Sequence, residues 1–176
     1  MKRLIIILTI IIVPLVIQKN TEAETIEIPN EAIRIRVIAN SNSIIDQYEK
    51  LKVRENIQIY LQELLKDAET KEETEEIIKN NLTNIEENVQ NTLKEIDSKV
   101  QYQINYGSNY FPEKEFKGIT YKEGYYDSLV ITLGKGLGNN WWCVLFPPLC
   151  LMETEEENIT EIEYELFVSE VLNKYN

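Results

Sequence analysis

Residues 33–38 (IRIRVI) set Ile33, Ile35 and Val37 in alternation with Arg34, Arg36 and Ile38, and a repeat of two is that of a half-buried β-strand. Asn40-Ser41-Asn42-Ser43 follows at once, a run of turn formers that can also cap a helix. The period then changes. Tyr48, Leu51, Val53, Ile57, Tyr60, Leu61, Leu64 and Leu65 recur at steps of mostly three and four, which predicts an amphipathic helix over residues 44–66. A second helix is predicted over residues 70–98 from Ile78, Leu82, Ile85, Val89, Leu93 and Ile96. Its first turn carries Glu72, Glu73, Glu75 and Glu76 at the positive end of the helix dipole, which accounts for them without a metal or a partner.

The second half is strand territory. Val100, Tyr102, Ile104 and Tyr106 alternate with polar residues until Gly107-Ser108-Asn109, which is expected to interrupt them, and residues 128–133 (SLVITL) form a β-branched run. The glycine-rich stretch 134–140 (GKGLGNN) separates that run from the apolar residues 141–146, and the simplest topology is an antiparallel pair joined by a loop. A nearly all-acid run, 153–157, precedes a last helical pattern on Ile159, Ile162, Leu166, Phe167, Val171 and Leu172. The fold class expected is α+β: an antiparallel sheet with amphipathic helices packed on one face, in two layers. At 176 residues one domain is the default, and it is assigned to residues 33–176. Residues 24–32 (ETIEIPNEA) lack periodicity, contain Pro29 and read as a tether.

The N-terminus reads as an address. Lys2 and Arg3 precede an uncharged apolar run, residues 4–17, the n-region and h-region of an export signal. Fourteen residues rise about 21 Å as a helix, short of the roughly 30 Å hydrocarbon core, and Pro14 would kink that helix. Cleavage after Ala23 is therefore expected, with retention as an N-terminal anchor as the alternative. Either way the membrane contact would be made through residues 1–23.

Charge and histidine narrow the chemistry. The chain has 18 basic and 30 acidic residues and no histidine, for a formal charge of -12; without residues 1–23 the balance is 15 against 29, or -14. No Ser-His or Cys-His nucleophile can be assembled, and the commonest metal ligand is missing. Surplus acid argues against nucleic acid and points to a basic or neutral partner surface. The glycine-rich stretch is not a phosphate loop: Lys135 is followed by Gly136 and the chain runs on into a strand, where a Walker loop needs Ser or Thr opening a helix. Asp46 and Asp127 sit near element junctions, where capping is the better account of them. Neither a cofactor nor a metal is expected.

Residues 139–151 hold both tryptophans, both cysteines and a double proline. Cys143 and Cys150 flank Pro147-Pro148 and can form a disulfide across the reversal, or stay as two buried thiols. Adjacent residues of a strand face opposite ways, so Trp141 and Trp142 cannot both enter one core. Either one faces outward as an interaction surface beside the prolines, or both faces of the strand are covered.

Three segments carry a resemblance: residues 33–43 (IRIRVIANSNS), residues 46–54 (DQYEKLKVR), and residues 124–151 (GYYDSLVITLGKGLGNNWWCVLFPPLCL). With them the chain resembles the stage II sporulation protein R family. The resemblance implies a protein made in the forespore and exported into the space between forespore and mother-cell membranes. There it triggers a membrane-bound peptidase that removes the pro-sequence of the sigma-E precursor. It implies a signal and not an enzyme, with Asn140, Trp141, Trp142, Phe146, Pro147 and Pro148, together with Asn40 and Ser41, as candidate contact residues. Two positions depart from the family: Asn139 where His is usual, and Asn42 where Asp is. The competing reading is an exported carboxylate-dependent cell-wall hydrolase, which needs two acids about 5 to 9.5 Å apart across one cleft. Asp127 and a second acid lining a large pocket would be its mark.

Overall fold

A computed structural model describes residues 26–150 and 160–175. The export signal and the acidic run 153–157 lie outside the described residues. In chain order the elements are β1 (Ile33–Ile38), α1 (Ile44–Leu65), α2 (Lys71–Asn80), α3 (Leu82–Glu95), β2 (Tyr102–Phe111), β3 (Lys114–Phe116), β4 (Ile119–Tyr121), β5 (Gly124–Leu133), β6 (Asn140–Phe146) and α4 (Glu161–Tyr175). The α+β class holds, with a sheet dominated by antiparallel pairs.

The strand order is β2-β5-β1-β6, with β3 and β4 forming a separate ribbon. The expected hairpin between the two late apolar runs is not formed. β5 and β6 are separated by β1, which pairs parallel with β5 (Ile35 opposite Leu129) and antiparallel with β6 (Ile35 opposite Cys143). The glycine-rich loop therefore has to cross the end of β1. It is held there by Leu137 N–H and Gly138 N–H donating to the carbonyls of Asn40 and Ala39, at 3.1 and 2.9 Å. Lys135 N–H and Asn139 N–H donate to the side-chain oxygens of Asn40 and Asn42, at 2.9 and 2.7 Å. The turn formers after β1 thus serve as acceptors for a loop about a hundred residues further on.

The first core lies between one sheet face and α1, α2 and α3, and includes Ile33, Ile35, Val37, Ile57, Leu129 and Ile131. In α1 the buried stripe is Val53, Ile57, Leu61 and Leu65, while Tyr48 and Leu51, expected in that stripe, are exposed. The first turns of α1 bury polar residues instead, because they pack on loop atoms. Ser98 Oγ donates to Glu49 Oε1 at 2.6 Å, and Lys50 Nζ donates to the Asn139 carbonyl at 3.4 Å. The single helix expected over residues 70–98 is broken at Asn81, whose backbone N–H donates back to Ile77 and Ile78 and whose Nδ2 donates to the Ile77 carbonyl at 2.8 Å. An asparagine side chain that competes for backbone carbonyls is a natural point of fracture. Gly107-Ser108-Asn109 does not interrupt β2, which pairs with β5 over its whole length; Asn109 Nδ2 donates across the pair to Ser128 Oγ at 3.0 Å.

The two-layer picture leaves out a second core on the opposite sheet face. There α4, the β3–β4 ribbon and the segment before β1 pack around Val144, Ile119, Tyr164, Val168, Ile28 and Ala32. Residues 26–32 are accordingly no free tether: Ile28 is buried, Glu27 bridges to Thr120, and Lys122 Nζ lies 2.5 Å from Glu27. Their apolar residues are too few to show periodicity yet enough to dock.

Gly138 tests the crossover. A Cβ there would meet the backbone carbonyl of Ser41 and the Ala39 side chain, and backbone cannot give way as a flexible side chain can. Gly138→Ala is expected to destabilise by about 1–3 kcal/mol, read as a lower urea midpoint with unchanged slope.

Candidate functional site

The site grows out of β1. Because its isoleucines face the helices, Arg34 and Arg36 must point into the other layer. Arg34 is 2% exposed. Its guanidinium carbon lies 3.5 Å from the ring centroid of Tyr126, 5.3 Å from that of Phe111 and 5.9 Å from that of Tyr121. Among the described residues its hydrogen bond is a long one, NH2 donating to the Lys122 carbonyl at 3.4 Å, and its Nε has no acceptor. Burial pushes the guanidinium below its ordinary pKa, and the surrounding tyrosines push only partly back. A desolvated cation–π contact contributes about 2 kcal/mol, against several kcal/mol for taking a charge out of water. With three rings within reach, the aromatic faces are of the same order as the cost of burying Arg34.

The guanidinium lines a cavity of about 250 Å³ that straddles the outer edge of β6. Trp141 and Trp142, on opposite faces of β6, both line it and are both half-buried. Arg54 of α1 lies over Trp141 with 5.1 Å to the centroid, and Phe111 packs edge-on against Trp142 at 5.6 Å. Lys114 of the ribbon, exposed, places its Nζ 5.5 Å from the Trp142 ring. Asn140, turned so that both ends of its amide are satisfied, donates to the Gly138 carbonyl at 3.1 Å and accepts from Trp142 Nε1 at 3.3 Å. Tyr121 and Tyr164, joined through their hydroxyls at 2.9 Å, close the far wall. Among the described residues the lining holds Arg34, Arg54 and Lys114 and no carboxylate.

The other candidate contact residues lie elsewhere. Pro147 is buried, and Phe146 packs edge-on against Tyr175 at 5.3 Å, so the double proline shapes the end of β6 and not the cavity. Cys143 and Cys150 are joined in a disulfide, with Cα atoms 5.7 Å apart. Gln58 Nε2 reaches the Cys150 carbonyl at 2.8 Å, tying this end to α1. Asn40 and Ser41 are also outside the cavity. Asn40 Nδ2 donates to Asp46 Oδ2 at 3.1 Å, the Ser41 hydroxyl donates to the same oxygen, and Ser43 Oγ caps α1 by accepting from Asp46 N–H at 3.1 Å. The two departures meet in this junction, through the Asn139 N–H on Asn42. Asp127 is not a cavity residue: it pairs with Lys71 at 2.8 Å. An acid-lined depression on Glu72, Glu75 and Glu76 is built from one helix. Among the described residues no group of three metal ligands is assembled. Sequence reasoning missed Arg34, Arg54 and Lys114. The available signal was arginine alternating with isoleucine on a strand whose two faces would both be covered.

Fold and site together define an α+β protein with a cation-and-aromatic cleft on an outer strand of its described sheet. The chain belongs to the stage II sporulation protein R family, whose model matches residues 29–156, and membership gives it a role in sporulation. It is 34% identical over 135 residues to stage II sporulation protein R of Bacillus subtilis (strain 168), an overlap of 77% of this chain and 60% of that protein. The chain thus matches 60% of that relative's length, less than two thirds. No solved structure matches it.

Two outcomes follow from the geometry. Hydrogen bonds from Ser41, then Ser43 and Asn40, hold the Asp46 carboxyl below its ordinary pKa of 3.8. Its contribution to stability is complete above that value and is lost as pH falls through and below it. The stability difference between the wild type and Asp46→Asn should therefore shrink in acid unfolding series; a difference independent of pH would show the carboxylate to be inert. Arg34→Met keeps the stem and removes the charge. It is expected to leave the urea midpoint unchanged or to raise stability by about 1–4 kcal/mol, as when other buried charges are replaced by apolar isosteres.

Proposed function

We propose that the chain is an exported intercellular sporulation signal, which activates the membrane-bound peptidase of the mother cell that processes the sigma-E precursor. Family membership supports the setting. The observation that carries the mechanism is the cleft on β6, where both tryptophans, Arg34, Arg54 and Lys114 converge. Tryptophan and arginine are the residue types that dominate interface energetics. Secretion from the forespore through residues 1–23, by cleavage or as an anchored form, brings this cleft to the extracytoplasmic face of the peptidase. The chain acts as a ligand and not as an enzyme. It shifts the peptidase because it binds the active state more tightly than the inactive one, since equal affinity would shift nothing.

Reconstitution tests this. Peptidase, precursor and full chain in one membrane preparation should yield processed precursor, and peptidase with precursor alone should not. Lys114→Glu reverses a charge at the exposed rim of the cleft. It should reduce processing several-fold while the melting temperature stays close to that of the wild type. Processing that is indifferent to the chain would sink the proposal, and processing indifferent to Lys114→Glu would move the contact away from the cleft.

A further inference from the structure

The helix α1 is apolar on two sides. Val53, Ile57, Leu61 and Leu65 turn into the core. At about 100° per residue, Ile44, Tyr48, Leu51, Glu55, Ile59 and Gln62 gather within about 80° of one another on the side turned away from it, and all six are exposed. Ile44 is 90% exposed, Ile59 62%, Tyr48 49% and Leu51 43%, and Ile45 on the flank is 70% exposed. The steps of four and three from Ile44 through Tyr48 and Leu51 to Glu55 are those of a helix-to-helix seam. A face left in water is ordinarily charged or polar, whereas a helix that is apolar all round is one that becomes buried. Neither Tyr48 nor Leu51 takes part in either core, so packing within the described chain does not account for them.

We infer that this outer face of α1 is a dimer seam, covered by α1 of a second copy of the chain lying antiparallel about a two-fold axis at residues 51 and 52. The stripe is complementary to itself in that register. Ile44 and Ile59 stand at equal distances from the axis, so Ile44 of each copy meets Ile59 of the other, with Leu51 on Leu51 at the centre and Tyr48 along the stem of Glu55. Such reciprocity is what a two-fold contact requires. Charge favours the same occupant. Residues 44–62 carry three acids and three bases, a net of zero in a chain of -12, so two copies can approach there without the repulsion that faces them across the glutamates of α2 and α3. Lys52 and Glu55, 2.7 Å apart within one chain, lie beside the axis and can pair across it as well. The area suffices for a modest dimer. The five exposed apolar residues amount to about three whole large side chains, roughly 500 Å² per copy and about 1,000 Å² for the pair, which reaches the lower bound of a specific interface. None of these residues lines the cleft, and the inference does not rest on the proposed function.

Thiol crosslinking of the full chain tests the seam. Both native cysteines are joined in a disulfide, so an introduced cysteine is the reactive one. Packed helices lie about 8–10 Å apart, within the span of a short bismaleimide. Leu51→Cys should give a crosslinked dimer whose yield saturates with protein concentration and exceeds that of Glu87→Cys, at an exposed position of α3, by at least about ten-fold. Ile44→Cys mixed with Ile59→Cys should yield the mixed dimer, and each alone should not. Ile59→Glu added to Leu51→Cys should lower the yield about ten-fold while the urea midpoint stays unchanged, because Ile59 lies outside the core. Sodium chloride should raise the yield, since screening relieves repulsion between two acidic copies. Equal crosslinking at Glu87→Cys, which would trace association to other segments such as residues 4–17, overturns the inference, as does the absence of a Leu51→Cys dimer up to about 100 μM. Ile44→Cys crosslinking alone as well as in the mixture overturns the antiparallel register. An environment-sensitive dye on Leu51→Cys that shifts with phosphatidylcholine–phosphatidylglycerol vesicles, and not with chain concentration, assigns the stripe to lipid and overturns the choice of a second copy. No peptidase enters these measurements, so a missing dimer leaves the proposed function standing and failed activation leaves the dimer standing.

Discussion

The placement of β1 between β5 and β6, with both of its faces covered, is the constraint from which the remaining architecture follows. A central strand with Ile33, Ile35 and Val37 on one side can found an ordinary core with helices. Its other side carries Arg34 and Arg36, and no plain hydrocarbon layer can sit on those. The second layer accordingly sets rings, Tyr126, Phe111 and Tyr121, around the Arg34 guanidinium, beside the aliphatic core of Ile28, Ile119, Val144 and Val168. It lies beneath the ribbon and α4. The crossing loop, the turn acceptors at Asn40 to Asn42 and the position of β6 at the edge are all consequences of inserting β1 where a hairpin would otherwise have closed.

Much of this was legible in residue pattern, and the errors have physical reasons. The period-2 run at residues 33–38 and the helical stripe Val53, Ile57, Leu61, Leu65 are local signals strong enough to survive in the fold. Strand order is not local: nothing in residues 124–146 says that a strand from the start of the chain slots between them. Tyr48 and Leu51 misled because periodicity counts apolar residues, whereas the buried positions of that turn are Glu49 and Lys50, satisfied by partners from distant loops. Asn81 was readable as a helix breaker, but a continuous apolar spacing ran across it. The crowding of tryptophans, cysteines and prolines falls on β6 and the turn after it, and Trp141, Trp142 and Asn140 line the cleft. The prolines and Phe146 share that crowded segment but finish the strand's far end. The cations came from three other elements, and only tertiary structure brings them together.

The local sign of charge at the cleft differs from that of the chain as a whole. Of the 30 acidic residues, seven glutamates lie on α2 and α3, and none of these lines the cleft. Family membership gives the chain a role in sporulation, and the cleft gathers tryptophans and cations at one place on the sheet. These are separate inferences drawn from separate observations, one from similarity along residues 29–156 and the other from the surroundings of a single arginine.

The pairing partners of β1 have a further consequence, in time. Ile35 lies against Leu129 and Cys143, each about a hundred residues later in the chain. Folds whose central contacts join such distant residues close slowly, since the entropy of the long loop must be spent before any contact repays it. An emerging chain of this design cannot complete its sheet until nearly all of it is available. For a protein that has to be threaded through a membrane unfolded, as the proposed role requires, late closure keeps the polypeptide competent for passage and defers assembly of the cleft to the far side.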